Sequence, residues 1–212
     1  MELKGFIFDL DGVICFTDEY HYLAWKEMAD SMGIYFDREI NNRLRGVSRM
    51  ASLEIILERY SGPAISQDEK EALATKKNDI YRGLLGQMTP ADLPVEVKET
   101  LDALRAKGLK LAIGSSSKNA PFILERIGLA GYFDAISDGN NITHSKPDPE
   151  VFLKAAEFLA LPPSACVVVE DAVAGAEAGH AGGFTVACVG DASHEKAGHH
   201  NLTDIRQLID LV

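Results

Sequence analysis

Short, continuous apolar runs alternate along the chain with segments whose apolar residues recur at helical spacing. Residues 4–10 (KGFIFDL), 109–114 (LKLAIG), 166–170 (CVVVE) and 184–189 (FTVACV) read as buried strands, and 132–137 (YFDAIS) as a weaker one. Continuous apolar strands separated by helices mark a parallel sheet covered on both faces. The intervening helices have legible ends. Val97, Leu101 and Leu104 keep helical spacing up to Gly108, and Pro121 opens a helix that closes at Gly128. Asp148 with Pro149 reads as an N-cap and first turn ahead of Phe152, Ala155, Ala156 and Leu159. Residues 190–201 (GDASHEKAGHHN) are expected to form a polar loop in which His194, His199 and His200 are solvated rather than metal-bound. Leu202, Ile205, Ile209 and Val212 then space a closing helix.

Residues 15–91 differ: they contain helical patterns and no strand run. Trp25, Met28, Ala29 and Met32 form one stripe, and Met50, Leu53, Leu57 and Tyr60 another. Ser66 and Glu69 make a capping box ahead of Leu73, Ile80 and Leu84, and Pro90 and Pro94 bracket the return to the sheet. So long a stretch is no loop. It reads as a helical cap domain (15–91) inserted into an α/β core (1–14 and 92–212), with the Trp25 stripe as the cap's own core.

Composition narrows the function classes. The 212 residues are 46% hydrophobic and 25% charged, with 21 lysines and arginines against 32 aspartates and glutamates and a net charge of −11. This acidic balance disfavours nucleic-acid and anionic-membrane partners, which select a basic face. No apolar stretch approaches the roughly 18 residues of a membrane span, and MELKGFIFDL lacks the order of a signal peptide. Cys15, Cys166 and Cys188 are odd in number and form no CxxC pair, which fits a reducing cytoplasm better than a disulfide framework or a zinc site. A monomer acting on small molecules is expected.

Ligands of an open parallel sheet gather beyond the carboxyl ends of its strands. There the sequence places Asp9 and Asp11, the run Ser115 to Asn119, Lys146 and the pair Glu170-Asp171. Singly, each is ordinary turn or N-cap chemistry. Together, four carboxylates in one pocket repel and raise one another's pKa unless a cation sits among them. Oxygen donors without sulfur or histidine select a hard ion, Mg²⁺. Mg²⁺, a lysine and a Ser/Asn loop suit the oxygens of a phosphoryl group. An adjacent carboxylate can serve as its nucleophile. Asp9 and Asp11, two apart, face the same side of an extended backbone, so one can attack phosphorus while the other handles a proton.

This ordered set, led by FDLDGV (8–13), resembles the haloacid dehalogenase superfamily of phosphotransferases over essentially the whole chain. DEYHYLAWK, RGVSR, KKNDIY, SSSKNAPFILERIGLAGYFDAI, SKPDP and VVEDAVAG are most similar to its β-phosphoglucomutase family. The resemblance implies a Rossmann-like parallel-sheet core with an inserted all-helical cap. It also implies interconversion of β-D-glucose 1-phosphate and glucose 6-phosphate through β-glucose 1,6-bisphosphate. By the same resemblance Asp9 is the nucleophile and Asp11 the general acid/base. Asp9, the Asp11 carbonyl, Glu170 and Asp171 hold Mg²⁺, and Ser115 and Lys146 bind the transferring phosphoryl. Ser117, Lys118 and Asn119 surround the substrate, and Arg49 grips the distal phosphate with a two-pronged guanidinium. His21 and Lys77 place the sugar and tie cap closure to Asp11. Trp25, Gly46, Val47, Ser48, Ser52 and Asn78 lie in the matching recognition segments. Two positions depart from the family pattern: Phe16-Thr17 replaces an Asp-Thr or Asp-Ser pair, and Ala172 stands where Ser is common. A sugar-phosphate phosphatase of the same architecture is the alternative. A non-catalytic sensor is disfavoured, because a binder gains nothing from crowded carboxylates.

Overall fold

A computed structural model describes residues 2–44 and 47–212. Strand β1 (Gly5–Phe8) is followed by four helices, α1 (Asp18–Ser31), α2 (Arg38–Asn42), α3 (Arg49–Leu57) and α4 (Gln67–Leu85). Helix α5 (Val95–Ala106) leads to β2 (Lys110–Gly114), α6 (Ala120–Arg126), β3 (Ala135–Ser137) and α7 (Glu150–Phe158). Then come β4 (Cys166–Glu170), α8 (Val173–Ala181), β5 (Thr185–Cys188), α9 (Gly190–His194) and β6 (His200–Asn201), with a 3₁₀ segment at Ile205–Leu211. The strands form one sheet in the order β3-β2-β1-β4-β5-β6, every pair parallel. This is the doubly wound α/β arrangement, and the order reverses at β1, next to the strand ends that carry the candidate chemistry.

The continuous apolar runs are explained by coverage on both faces. Phe6, Phe8, Leu111, Ile113, Val167 and Val169 point to one side, where they meet Leu101 and Leu104 of α5, Ile123 of α6 and Leu208. Ile7, Ala112 and Val168 point to the other and meet Phe152, Ala155 and Ala156 of α7 and Ala178 of α8. Register keeps these layers aligned: Phe6 stands between Leu111 and Val167, and Ile7 between Ala112 and Val168.

Helices α1 to α4 surround a separate apolar cluster of Trp25, Met28, Ala29, Phe36, Ile40, Leu53, Ile56 and Ala74. The Ser66–Glu69 capping box opens α4, with Ser66 N–H donating to Glu69 Oε2 at 2.8 Å. The expected α4 stripe is displaced by one position. Leu73, Ile80 and Leu84 are only half-buried, whereas Ala74, Lys77, Tyr81 and Leu85 form the buried face. Tyr81 and Leu85 pack into the cluster on the α5 side of the sheet, so α4 serves two apolar surfaces and its polar lysine is buried between them.

Three local expectations need correction. Residues 190–201 are not simply loop: they form α9 and the edge strand β6, which pairs with β5. Neither shows a hydrophobic period, since α9 buries only Ala192 and β6 pairs through its backbone with both side chains exposed. The helix after Asp148 starts at Glu150 with Pro149 at its N-cap, and the Asp148 carboxylate accepts from Glu150 N–H at 2.9 Å as a preceding turn. The closing helix is 3₁₀, with Ile205, Leu208 and Leu211 inward at the spacing of three that this helix requires.

Packing at the second sheet face leaves no room at Gly114, where an added Cβ would stand 2.6 Å from Phe152 Cδ1 and 3.0 Å from Ile7 Cγ2. Gly114→Ala is expected to lower stability by about 1–3 kcal/mol through overpacking. Urea unfolding checks this, and an unchanged midpoint would contradict the close packing.

Candidate active site

The carboxyl ends of β1, β2 and β4 open onto a cavity of about 650 Å³. Asp9 and Asp11 follow β1, Ser115, Ser117, Lys118 and Asn119 follow β2, and Glu170 and Asp171 lie at the end of β4. Lys146 enters from the loop ahead of α7. His21 and Trp25 of α1, Arg49 and Ser52 of α3 and Lys77 of α4 line the same space. Every expected site residue that the structure describes is therefore brought together. Gly46 lies outside the described residues.

Asp9, Glu170 and Asp171 are buried, and one carboxylate oxygen from each falls within 4.8 Å of the others. Lys146 donates to both Asp9 Oδ1 and Glu170 Oε1 and lies over the Phe152 ring at 4.7 Å. Glu170 Oε2 also accepts from the backbone N–H groups of Asp171 and Ala172, both at 2.9 Å. The main chain at Ala172 thus donates to Glu170 where the family pattern places a serine. Burial pushes the Asp9 carboxyl well above the ordinary carboxylate range; Lys146 opposes the rise, and Glu170, Asp11 and Asp171 add to it. The carboxylates are accommodated by glycines. A Cβ on Gly12 (φ +93°) would meet Asp171 Oδ2 at 2.2 Å, and one on Gly175 would meet Glu170 Oε1 at 1.9 Å. Three clustered carboxylates with one ammonium, in a cradle held open by glycines and offering oxygen alone, fit a hard divalent cation.

The Asp11 carboxylate stands apart from that cluster. Thr17 donates its hydroxyl to Asp11 Oδ1, and Tyr81 O–H donates to Thr17 Oγ1 at 3.2 Å. Burial raises the Asp11 carboxyl to about 6, while the Thr17 hydrogen bond acts in the opposite direction. Tyr81 stacks on His21 with centroids 4.1 Å apart. Lys77 Nζ lies 2.9 Å from His21 Nδ1 and 4.8 and 4.5 Å from the centroids of Trp25 and Tyr81. Burial, then the Arg49 charge, pulls the Lys77 ammonium down to about 7, with Asp11 acting against them. Burial, Lys77 and Arg49 hold His21 well below the usual histidine range. Trp25 is thus both core and wall, packed in the helical cluster and facing the buried lysine. Thr17 and Tyr81 escaped sequence reasoning. The only signal was Thr17 in the place of the family's Asp-Thr pair; the tyrosine's partner is 64 residues away.

A second group of donors faces the cavity. Arg49 follows the Ser48 N-cap of α3, and its Nη2 donates to Asn78 Oδ1 at 2.7 Å. Asn119 Nδ2 donates to the same oxygen at 2.9 Å. The loop bearing Asn119 is shaped by its own serines: Ser117 N–H donates to Ser115 Oγ at 3.1 Å, and Asn119 N–H to Ser117 Oγ at 3.2 Å. Lys118 is exposed at the rim.

Residues 3–183 match the model of the haloacid dehalogenase-like hydrolase family. A β-phosphoglucomutase of Bacillus subtilis is 43% identical over 190 residues, covering 89% of this chain and 84% of that protein. The fructose-1-phosphate phosphatase YqaB of Escherichia coli is 33% identical, covering 85% of this chain and 93% of its own. Among solved structures, a β-phosphoglucomutase of Clostridium difficile superposes with a TM-score of 0.91 at 35% identity, covering 97% of this chain and 93% of that one.

The buried lysine generates a pH dependence. With a folded pKa near 7 against an ordinary 10.5, Lys77 binds fewer protons folded than unfolded between these values. Its contribution to stability therefore grows as pH rises through that window and is lost as pH falls toward 7. In the unliganded protein, raising pH from about 7 to 10 is expected to shift the melting-temperature difference between wild type and Lys77→Met toward wild type. A difference constant with pH would contradict the burial of a charged lysine.

Proposed function

The chain belongs to the haloacid dehalogenase-like hydrolase family, and on that basis we propose that it is a Mg²⁺-dependent β-phosphoglucomutase. It would interconvert β-D-glucose 1-phosphate and D-glucose 6-phosphate through β-glucose 1,6-bisphosphate. The observation that carries this reading is a single cavity lined by two separate groups of polar side chains, each of a kind suited to a phosphate. One is the Asp9, Lys146, Glu170 and Asp171 cluster; the other is the donor group of Arg49 and Asn119. A phosphatase needs only the first. A mutase must also hold a second phosphate while the first is transferred, in either orientation of the sugar.

In this reading Asp9 attacks phosphorus and becomes an aspartyl phosphate, and Asp11 protonates the departing sugar oxygen. The phosphoryl group that Asp9 takes comes from the bisphosphate and leaves a monophosphate. When β-glucose 1-phosphate then binds, Asp11 takes the proton of its free 6-hydroxyl as that oxygen attacks the aspartyl phosphate. Asp9 leaves as the carboxylate, and the bisphosphate is regenerated. A carboxyl near 6, between a strong acid and a strong base, suits both directions. Lys146 neutralises the phosphoryl oxygens as charge moves onto them. Asp9, Glu170, Asp171 and the Asp11 carbonyl would hold Mg²⁺, which supplies Lewis-acid neutralisation of the phosphoryl oxygens when bound. Asp11 hydrogen-bonds to Thr17, which in turn bonds to Tyr81 of α4, so the helical segment bears directly on the acid/base. Acting as a cap (residues 15–91 over a core of 1–14 and 92–212), that segment would exclude water, which distinguishes transfer to sugar from hydrolysis.

The similarity to the fructose-1-phosphate phosphatase supports the second reading, a Mg²⁺-dependent sugar-phosphate phosphatase. One experiment separates them. The protein is incubated with Mg²⁺, β-glucose 1-phosphate and a trace of the 1,6-bisphosphate, and glucose 6-phosphate and inorganic phosphate are followed separately. Isomer without free phosphate is expected; stoichiometric phosphate release would establish the phosphatase instead. Asp9→Asn is expected to reduce either activity by about a thousand-fold or more, because an amide is a poor nucleophile. Arg49→Ala is expected to raise KM for the bisphosphate roughly ten- to a hundred-fold, the cost of a lost charge-assisted contact. The same variant should impair hydrolysis of a small monophosphate far less, and equal losses would contradict a grip on the second phosphate.

A further inference from the structure

Both amides in the second donor group have a set orientation, and the residue that sets one of them lies outside the cavity. Arg82 stands on α4 one turn beyond Asn78. It donates from Nη1 to Asn119 Oδ1 at 3.1 Å, and its guanidinium lies 4.6 Å from the ring centroid of Phe122 on α6. Asn119 is buried and lines the cavity, whereas Arg82 is exposed and does not. A guanidinium carries donors and no acceptor. The oxygen of Asn119 therefore faces Arg82, and its Nδ2 faces the other way, toward Asn78 Oδ1. Arg49 imposes the same logic from the far end, because its Nη2 demands the oxygen of Asn78. The order Arg82, Asn119, Asn78, Arg49 runs with every amide pinned at its oxygen by a neighbour that can only donate.

This polarity matters for an anion. Phosphate oxygens accept hydrogen bonds, so Asn119 helps only with Nδ2 toward the ligand; rotated by half a turn it would present a carbonyl oxygen and repel. Asn78 Oδ1 accepts from the two donors that a phosphate oxygen would engage. We propose that Arg82 is a positioning residue for the second phosphate, acting through Asn119. It holds the Asn119 amide in the receptive orientation. Because it belongs to the helical segment while Asn119 belongs to the sheet's own loop, that orientation exists only while α4 sits against the loop. The inference rests on the reading of the cavity as a two-phosphate site.

The test is a double-mutant cycle read as KM and kcat for β-glucose 1,6-bisphosphate, with melting temperature measured alongside. Arg82→Ala is expected to raise KM about ten-fold with kcat within about two-fold, the worth of one misoriented charge-assisted contact. Arg82→Lys, which keeps a cation but offers a single donor point, should recover part of that loss and guards against a folding defect in the alanine variant. In an Asn119→Ala background, Arg82→Ala should have no further effect on KM, because its route of action is gone. An unchanged KM in Arg82→Ala would overturn the proposal. So would a rise of the same size with and without Asn119, or a KM effect that only tracks a fall in melting temperature. Failure of the mutase reading would appear instead in the wild-type product ratio. The KM cycle can still be read on hydrolysis of the same bisphosphate, which keeps the two failures distinct.

Discussion

Crowding buried carboxylates at the tips of the central strands is the constraint that organises this molecule. An ion taken from water costs of order several kcal/mol even after the protein relaxes, and like charges add to that cost. The chain answers with parts drawn from separated segments. Lys146 reaches Asp9 and Glu170 from the loop before α7, main-chain N–H groups at Asp171 and Ala172 hold Glu170, and Gly12 and Gly175 make room for side chains that a Cβ would displace. The remaining negative charge is of the kind that a hard cation would neutralise. Stability and chemistry thus draw on the same few groups, and the sheet edge must be built accurately for either to exist.

Helix α4 extends the constraint into the helical segment. Its buried face begins in the cluster of α1 to α3 at Ala74 and ends in the main core at Tyr81 and Leu85, with Lys77 between. Displacing α4 would uncover apolar area and break the Tyr81–Thr17–Asp11 chain, the Lys77–His21 pair and the Arg82–Asn119 bond together. Packing and the polar network are therefore two readings of one position of the helix. This gives a physical route by which a ligand that draws α4 toward the sheet also sets the groups around Asp11.

Strands β1, β2, β4 and β5 were legible because burial on both faces writes a continuous apolar run, as in CVVVE, and helix ends were legible where Gly108, Gly128 or the Ser66–Glu69 box marked them. The carboxylates, Lys146 and the serine loop were legible because strand ends concentrate ligands and because the residue types themselves carry the chemistry. What escaped had no local signature. Strand β6 pairs through backbone alone with exposed side chains, and α9 buries a single alanine. The α4 stripe was misplaced because Leu73, Ile80 and Leu84 satisfy helical spacing as well as Ala74, Tyr81 and Leu85 do. Only the neighbours decide which face is covered.

By itself the sequence determined an α/β sheet interrupted by helices, an acidic strand-end group of the kind a hard cation favours, and a lysine and a Ser/Asn loop of the kinds a phosphoryl group favours. Each of these follows from local periodicity or from the residue types that this periodicity places at the strand ends. Tertiary structure alone decided that Lys77 is buried against two aromatic rings, that Thr17 donates to Asp11, and that Asn119 turns its nitrogen toward Asn78. Those facts depend on partners dozens of residues away. A hydrogen bond or a lost hydration shell is set by what stands within a few ångströms in space, which no spacing along the chain records.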